Sequence, residues 1–231
     1  MQSDLKLAAE NHLRFEGPLV IVGGAGFSRA DLLTLQDAGA AIVGADGGAD
    51  AARDAQVIPE VVIGDMDSLI HADEWQERTR LVRIAEQETT DFEKCLYSTE
   101  APVTVALGVT GRRFDHTLAA LDAVARYGDN RRIILVGEED IAISFSGPFG
   151  FYAETGERVS VHPLNPVRFA HSEGLYYPLN DLTLAPGVKT GTSNTALGGD
   201  VSIVPAEGET GVWLLIVGKR HLMRFVTELG D

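Results

Sequence analysis

The sequence is poor in cysteine and in long apolar runs. Its 231 residues include one cysteine, Cys95, so no disulfide can form within the chain, which fits a reducing compartment. No stretch approaches the roughly 18 consecutive apolar residues that a membrane-spanning helix needs. The N-terminus lacks the positive start and apolar core of a secretory signal. We therefore expect a cytoplasmic protein that does not associate with membranes.

Basic residues are also few. The 19 Lys and Arg residues stand against 34 Asp and Glu, which gives a formal net charge of −15. A surface this acidic disfavours nonspecific binding to nucleic acid and to anionic lipid. Any polyphosphate ligand of this chain therefore needs local help from a cation, from a few arginines or from backbone N–H groups.

Apolar, β-branched runs alternate with helical patterns in the first part of the chain. PLVIVGG (18–24) predicts a strand, and SRADLLTLQDAG (28–39) predicts a helix that ends on glycine. This alternation predicts an α/β domain with a mostly parallel sheet over 18–140. Short β-rich runs with turn residues between them predict an all-β domain over 141–231, a small sandwich or barrel without further helices. A helical lead-in is expected over 1–17.

Polar and glycine-rich segments follow one end of the predicted strands. Ligands bind at the carboxyl ends of strands in an open α/β sheet, so these segments should line one site. They are GGAG (23–26), GADGGAD (44–50), GDMDS (64–68), EQETTD (86–91) and GVTGRRFDH (108–116). The acids expected along this edge are Asp46, Asp50, Asp65, Asp67, Asp91 and Asp115. One edge of the sheet should therefore carry an active site.

Asp65 and Asp67 lie one residue apart at the end of the predicted strand EVVIGD (60–65). Two carboxylates this close repel each other unless a positive group lies between them. Mg²⁺ binds one or two carboxylates and leaves its other positions to water and phosphate oxygens, while arginine and glycine in neighbouring loops suit phosphate. The pattern predicts metal-assisted phosphoryl-type transfer, and a polar turn is the alternative explanation of the pair.

Four segments resemble, in order and spacing, the signatures of the thiamin pyrophosphokinase family. They are ADGGAD (45–50), PEVVIGDMDSL (59–69), QETTDFEKCL (87–96) and GVTGRRFDHTLAAL (108–121). Farther along, SEGLYYPL (172–179) looks like the family's segment around a thiamin-stacking aromatic, and GTSN (191–194) looks like its Ser-Asn close. The resemblance extends over nearly the whole chain after residue 18.

The resemblance implies an α/β domain that binds ATP and Mg²⁺, followed by a β-sandwich domain that binds thiamin. It implies transfer of the β,γ-diphosphate of ATP to the thiamin hydroxyl, giving thiamin diphosphate and AMP, in a homodimer with thiamin between subunits. The expected catalytic residues are Asp65, Asp67, Gln87 and Asp91, and the three aspartates are also the expected metal ligands. ATP and phosphate are expected at Asp46, Gly47, Gly48, Arg112, Arg113 and Asp115, and thiamin at Tyr177, Ser193 and Asn194.

The chain departs from the family pattern at two places. The family's aromatic is often tryptophan, whereas Tyr177 or Tyr176 takes that place here, and tyrosine can also stack on a cationic ring. The family's Gln-Asp pair is Gln87-Glu88 in this sequence. Two candidates to accept the proton of the thiamin hydroxyl, Asp67 and Asp91, stay open.

Three other functions fit parts of the pattern. A phosphatase of the haloacid dehalogenase type also places Asp-x-Asp after a buried strand, but its motif usually continues with Gly and then Thr or Val, not Ser68-Leu69. A diphosphokinase acting on a hydroxymethylpterin would share the chemistry of the first domain. A non-catalytic binder of thiamin or nucleotide would not need six acids at one edge. The products formed from ATP separate these possibilities.

Overall fold

The protein is represented by a computed structural model that describes residues 12–70 and 72–230. The chain divides into two compact units. Unit 1 holds the described residues up to Ala123, then Ile134–Glu138 and the residues from Leu222 onward. Unit 2 holds Val124–Ile133 and Glu139–His221. Among the described residues, no helix is both long enough and apolar enough to cross a membrane.

Short apolar strands build the sheet of unit 1. The first eight strands are β1 (Leu13–Arg14), β2 (Leu19–Val22), β3 (Ala41–Ala45), β4 (Val61–Gly64), β5 (Arg80–Arg83), β6 (Thr99–Glu100), β7 (Thr104–Leu107) and β8 (Ile133–Val136). The sheet has the order β8-β7-β2-β3-β4-β5, and the pairs β7–β2, β2–β3, β3–β4 and β4–β5 are parallel. Every residue of β2, β4, β7 and β8 is buried, as expected for strands covered on both faces.

In the described part of the chain, five helices lie between these strands, and a sixth follows the last strand of the chain. They are α1 (Arg29–Asp37), α2 (Gly48–Asp54), α3 (Ala72–Arg78), α4 (Asp91–Ser98), α5 (Phe114–Tyr127) and α6 (Leu222–Gly230). Ser28 caps α1 by accepting a hydrogen bond from the Asp31 N–H, and Thr90 caps α4 by accepting one from the Glu93 N–H. The strands and helices predicted between residues 18 and 136 are confirmed, with ends that differ by a few residues.

Strand β2 lies at a switch point of the sheet. From β2 the chain continues to β3, β4 and β5 on one side, and it then returns to β7 on the other side. Loops that leave the carboxyl ends of β2, β3 and β7 therefore diverge and leave a crevice between them. This topology places the glycine-rich segments after these three strands around one opening.

Unit 2 contains two antiparallel sheets. Its strands are β9 (Asp140–Phe145), β10 (Phe149–Ala153), β11 (Arg158–Pro163), β12 (Val167–Glu173), β13 (Leu182–Leu184), β14 (Gly191–Thr195), β15 (Gly199–Pro205) and β16 (Trp213–Gly218). One sheet has the order β14-β11-β16-β9 and the other β10-β15-β12-β13. Phe169 of the second sheet meets Trp213 of the first edge-on, with ring centroids 5.7 Å apart. Large aromatic side chains thus join the two sheets.

Two predictions differ from the structure at the ends of the chain. The helical lead-in predicted for 1–17 falls mainly on residues 1–11, outside the described residues, and Leu13–Arg14 form β1 beside β6 instead of a helix. The prediction that no helix follows residue 141 is wrong, because α6 closes the chain. Its buried residues Leu222, Phe225 and Val226 have the i, i+3, i+4 spacing of an amphipathic helix.

Candidate active site

A cavity of about 340 Å³ opens at the switch point of unit 1. Its walls come from the segments after β2, β3 and β7, from the start of α4 and from one face of α5. The lining includes Gly23, Gly24, Asp46, Gly47, Gly48, Asp91, Gly108, Arg112, Arg113 and His116. The volume falls in the range of small-molecule sites, and its mixture of backbone, acids and arginines suits a phosphorylated ligand.

Three carboxylates converge beside this cavity. Asp46, Asp65 and Asp67 each offer an oxygen, and these three oxygens lie within 4.8 Å of one another. The Ser68 N–H donates to Asp46 Oδ2 over 3.0 Å, and the Asp67 N–H donates to Asp65 Oδ1 over 3.1 Å. Backbone hydrogen bonds therefore hold the acids together although their charges repel.

Asp46 is the most buried member of this group, with 1% of its surface exposed. Its Oδ1 atom is buried and has no hydrogen-bond partner among the residues that the structure describes. Burial raises the pKa of Asp46 to about 6; the hydrogen bond from Ser68 lowers it, and the charges of Asp91, Asp65 and Asp67 raise it further. A buried carboxylate oxygen without a donor is what a divalent cation would satisfy, so the donor set fits Mg²⁺.

Close backbone approach brings Asp46 to its neighbours. A Cβ atom added at Gly64 would lie 2.7 Å from the Cβ of Asp46 and 3.0 Å from Oδ1 of Asp91. A Cβ atom added at Gly48 would lie 1.9 Å from the carbonyl oxygen of Val22. Glycine is required at both positions because a side chain would separate the segments that carry the acids.

Lys94 connects two of the predicted site residues. It is buried on α4, and its Nζ lies 3.1 Å from Asp91 Oδ1 and 3.5 Å from Asp65 Oδ2. Burial raises the pKa of Asp91 above its ordinary value, and the hydrogen bond from Lys94 only partly offsets this. Partial burial also raises the pKa of Asp65, but hydrogen bonds from Asp67, Gln87 and Lys94 outweigh it and leave that pKa low. Lys94 therefore neutralises part of the charge of the acidic cluster.

Gln87 also meets Asp65. Its Nε2 donates to Asp65 Oδ2 over 2.6 Å, from the loop between β5 and α4. The structure thus brings together four of the predicted residues, Asp46, Asp65, Asp67 and Gln87, and places Asp91 next to them through Lys94.

Arg113, one of the two arginines predicted to bind phosphate, forms an ion pair with Asp115. Arg113 is bound to Asp115 by two hydrogen bonds, from Nε over 3.1 Å and from a terminal nitrogen over 2.6 Å. The hydrogen bond from Arg113 lowers the pKa of Asp115 to about 2. Both arginines line the cavity, whereas Asp115 does not. Asp115 therefore orients Arg113 at the start of α5.

The residues predicted to bind thiamin lie in unit 2 and are described within it. Tyr176 and Tyr177 expose 63% and 62% of their surfaces, and their rings meet edge-on at 4.9 Å. Asn194 is buried; its Oδ1 accepts from the Tyr177 N–H over 3.0 Å and its Nδ2 donates to the Tyr177 carbonyl over 2.6 Å. Ser193 has a left-handed backbone, with φ of 58°, and its N–H donates to Ser160 Oγ over 2.9 Å. Asn194 thus holds the main chain of Tyr177.

Asp50 lies apart from the other acids, contrary to the sequence expectation. It is buried on α2, where its oxygens accept hydrogen bonds from Trp75 Nε1 over 3.1 Å and from the Ile70 N–H over 2.7 Å. A terminal nitrogen of Arg53 also lies 3.3 Å from Asp50 Oδ1 and forms an ion pair with it. The side chain turns toward the core around Trp75 instead of the cavity, so Asp50 has a structural role.

We expect Asp50→Ala to lower the free energy of unfolding by about 2–3 kcal/mol, because the buried indole N–H of Trp75 and the partly buried N–H of Ile70 lose their acceptor. Urea denaturation of the variant and of the wild type measures the difference. Asp54→Ala, on the same helix but with an exposed side chain, should stay within about 0.5 kcal/mol of the wild type. Equal stability of the Asp50→Ala variant and the wild type would contradict the structural role.

Lys94 is a residue of the candidate site to which the sequence analysis assigns no role. Its Nζ contacts two of the predicted site residues, Asp65 and Asp91, directly. Its spacing of three from Asp91 on a helix indicates one of these pairs, since residues at i and i+3 share a helix face. The pairing with Asp65, 29 residues away in sequence, has no local signal.

Comparison with known proteins gives a family match over part of the chain and several structures with a similar fold. Residues 32–136 match the family model described as thiamin pyrophosphokinase, catalytic domain. The thiamine pyrophosphokinase structure from Bacillus subtilis has a TM-score of 0.70 at 22% identity, over 87% of this chain and 98% of that one. No curated protein sequence matches the chain significantly.

Two fungal structures have the same fold. The thiamin pyrophosphokinase of Candida albicans has a TM-score of 0.73 at 15% identity, over 90% of this chain and 93% of that one. The yeast thiamin pyrophosphokinase has a TM-score of 0.72 at 14% identity, over 94% of each chain. The stretch 32–136, which is similar to the thiamin pyrophosphokinase catalytic domain, contains Asp46, Asp65, Asp67, Gln87 and Asp91.

Proposed function

We propose that this enzyme transfers the diphosphate group of ATP to the hydroxyl of thiamin, with AMP as the second product, and that it requires Mg²⁺. The observation that carries the proposal is the convergence of Asp46, Asp65 and Asp67 beside the cavity at the switch point, within the stretch that matches the family's catalytic domain. Transfer of a phosphoryl-type group depends mainly on positioning and charge neutralisation, and this arrangement suits both.

The metal ligands in this proposal are Asp46, Asp65 and Asp67. The sequence predicted Asp91 as a ligand in place of Asp46, but Asp91 lies outside the group of three converging oxygens and is paired with Lys94. The Oδ1 atom of Asp46 has no hydrogen-bond partner among the described residues, which supports Asp46 rather than Asp91 as the third ligand. When bound there, Mg²⁺ would neutralise phosphate charge that the acidic site otherwise repels.

Asp91 is the proposed acceptor of the thiamin hydroxyl proton. The sequence left Asp67 and Asp91 as equal candidates. Asp91 lines the cavity, whereas Asp67 does not and belongs to the ligand group. Lys94 holds the Asp91 carboxylate through one oxygen, so the other oxygen is the one we propose as the proton acceptor.

The glycine-rich segments are the proposed binding site of the ATP phosphates. Gly47 and Gly48 line the cavity after β3 together with Asp46, and glycine lets the main chain approach a phosphate closely. Arg112 and Arg113 line the same cavity and offer forked donors. Two arginines and backbone N–H groups give an anionic chain the local positive charge that binding ATP demands.

Unit 2 is the proposed β-sandwich domain that binds thiamin. The exposed ring of Tyr177 offers a face on which a cationic heterocycle can stack. All of the hydrogen bonds of Asn194 described above go to main-chain groups, so we propose that Asn194 acts through Tyr177. The homodimer implied by the resemblance is part of the proposal.

Product analysis tests the reaction. Incubation with ATP, Mg²⁺ and thiamin should yield AMP and thiamin diphosphate in equal amounts, and chelation of the metal should stop both. Formation of ADP, or release of phosphate without an acceptor, would overturn the proposal. A hydroxymethylpterin offered in place of thiamin should give no AMP, and turnover with it would favour the related diphosphokinase.

A further inference from the structure

The loop between β5 and α4 contains an acid with no predicted role, Glu86. The loop has no helix or strand of its own, yet it carries Gln87, whose amide lies 2.6 Å from Asp65 Oδ2. Keeping an irregular segment in one conformation has an entropic cost of about 1–2 kcal/mol for each residue. Specific hydrogen bonds must therefore hold this loop, and Glu86 makes them.

The Glu86 carboxylate accepts four hydrogen bonds. Its Oε2 accepts from the Glu88 N–H over 2.6 Å and from the Thr89 N–H over 3.0 Å. Its Oε1 accepts from the Tyr97 hydroxyl over 3.0 Å and from the Thr89 hydroxyl. Tyr97 belongs to α4, so one carboxylate ties the loop both to itself and to the helix that begins at Asp91.

The charged form of Glu86 is the form that suits these donors. Partial burial raises the pKa of Glu86, but the four hydrogen bonds outweigh it and leave the pKa below its ordinary value. Hydrogen bonds to a charged acceptor are roughly twice as strong as those between neutral groups. The side chain does not line the cavity, so it has no direct path to a ligand there.

We propose that Glu86 is a positioning residue for the reaction. By fixing residues 86–90 against α4, it keeps Gln87 on Asp65 and places Asp91 at the rim of the cavity. This inference rests on the proposed diphosphate transfer, because its kinetic consequence is expressed in that reaction. A displacement of about 1 Å at such groups can reduce turnover about 100-fold.

Three substitutions test the proposal. Glu86→Ala removes all four bonds, Tyr97→Phe removes one, and Glu86→Gln keeps an oxygen for the two backbone N–H groups. Glu88→Ala is the matched control, because this neighbouring side chain is exposed. We expect kcat to fall about 10- to 100-fold in Glu86→Ala, several-fold in Tyr97→Phe and at most about threefold in Glu86→Gln and Glu88→Ala. The KM for ATP should stay within about twofold throughout.

Amide hydrogen exchange supplies a readout that does not depend on activity. In Glu86→Ala, segment 86–91 should exchange at least about tenfold faster than in the wild type, while β2, β3 and β4 stay unchanged. Unchanged exchange in this segment, unchanged kcat, or equal losses in Glu86→Gln and Glu86→Ala would each overturn the proposal. If Glu86→Ala does not fold, the kcat and the amide exchange of Tyr97→Phe are compared with those of the wild type, and unchanged values overturn the proposal. If segment 86–91 exchanges more slowly in the wild type than in Glu86→Ala but the wild type forms no AMP, the proposed function is overturned instead.

Discussion

Replacement of Asp65 or Asp67 by asparagine should reduce AMP formation to less than about one hundredth of the wild-type rate at ordinary Mg²⁺ concentration. Each substitution removes one charged oxygen from the group of three that lies within 4.8 Å. The rate of AMP formation from ATP and thiamin measures the effect. The reason is electrostatic, because two remaining carboxylates hold a cation less strongly and leave more phosphate charge unbalanced.

The two variants should differ in stability. Asp65 accepts hydrogen bonds from Gln87 and Lys94 on the same oxygen, so an amide NH₂ there would face other donors. The side chain of Asp67 accepts only from the Ser68 hydroxyl, over 2.8 Å, among the contacts described, and an amide oxygen can do the same. Asp65→Asn should therefore unfold at a lower urea concentration than Asp67→Asn.

Asp54→Asn is the matched control for both substitutions, since it removes one carboxylate charge from an exposed position on α2. It should retain wild-type activity and stability. Near-normal turnover in both Asp65→Asn and Asp67→Asn would contradict the assignment of these residues to the metal.

Replacement of Lys94 by methionine should have the second large effect. The substitution keeps a long apolar stem but removes a buried charge from between Asp91 and Asp65. We expect AMP formation to fall at least about 100-fold, because neither carboxylate keeps its orientation. The free energy of unfolding should fall by about 2–3 kcal/mol, less than for a fully buried pair because 32% of the Asp91 side chain is exposed.

Mg²⁺ titration distinguishes the loss of the Lys94 charge from a change in side-chain packing. Thermal unfolding should show that Mg²⁺ stabilises Lys94→Met more than it stabilises the wild type, since the acidic cluster has lost its own buried cation. Lys189→Met, at an exposed position of unit 2, should behave as the wild type in both assays. An active Lys94→Met variant would contradict the role of this residue.

The parts of the fold that could be predicted have local signals. Continuous apolar runs such as those of β2 and β4 predict buried strands, and capping residues such as Ser28 and Thr90 mark where helices begin. Their alternation predicts a parallel sheet, and the carboxyl ends of that sheet predict the edge where Asp46, Asp65 and Asp67 meet.

The parts that could not be predicted depend on distant partners. Strand β1 has two residues and pairs with β6, about 86 residues later, so no local pattern reveals it. Asp46 and Asp50 occur in one short segment, yet the first faces the cavity and the second faces Trp75. Helix α6 does have a local signal in its apolar spacing. The β-rich runs before it favour the prediction of an all-β domain for the whole of 141–231.

The contacts of Asn194 hold the main chain at residue 177 and do not depend on which aromatic side chain is there. The two bonds that join Asn194 to residue 177 use only the N–H and the carbonyl of that residue, which tyrosine shares with every other residue except proline. The exposed ring itself takes no part in them. A tryptophan at this position would keep the same anchor. One flat ring can therefore replace another at this position while the main chain beneath keeps the same hydrogen bonds.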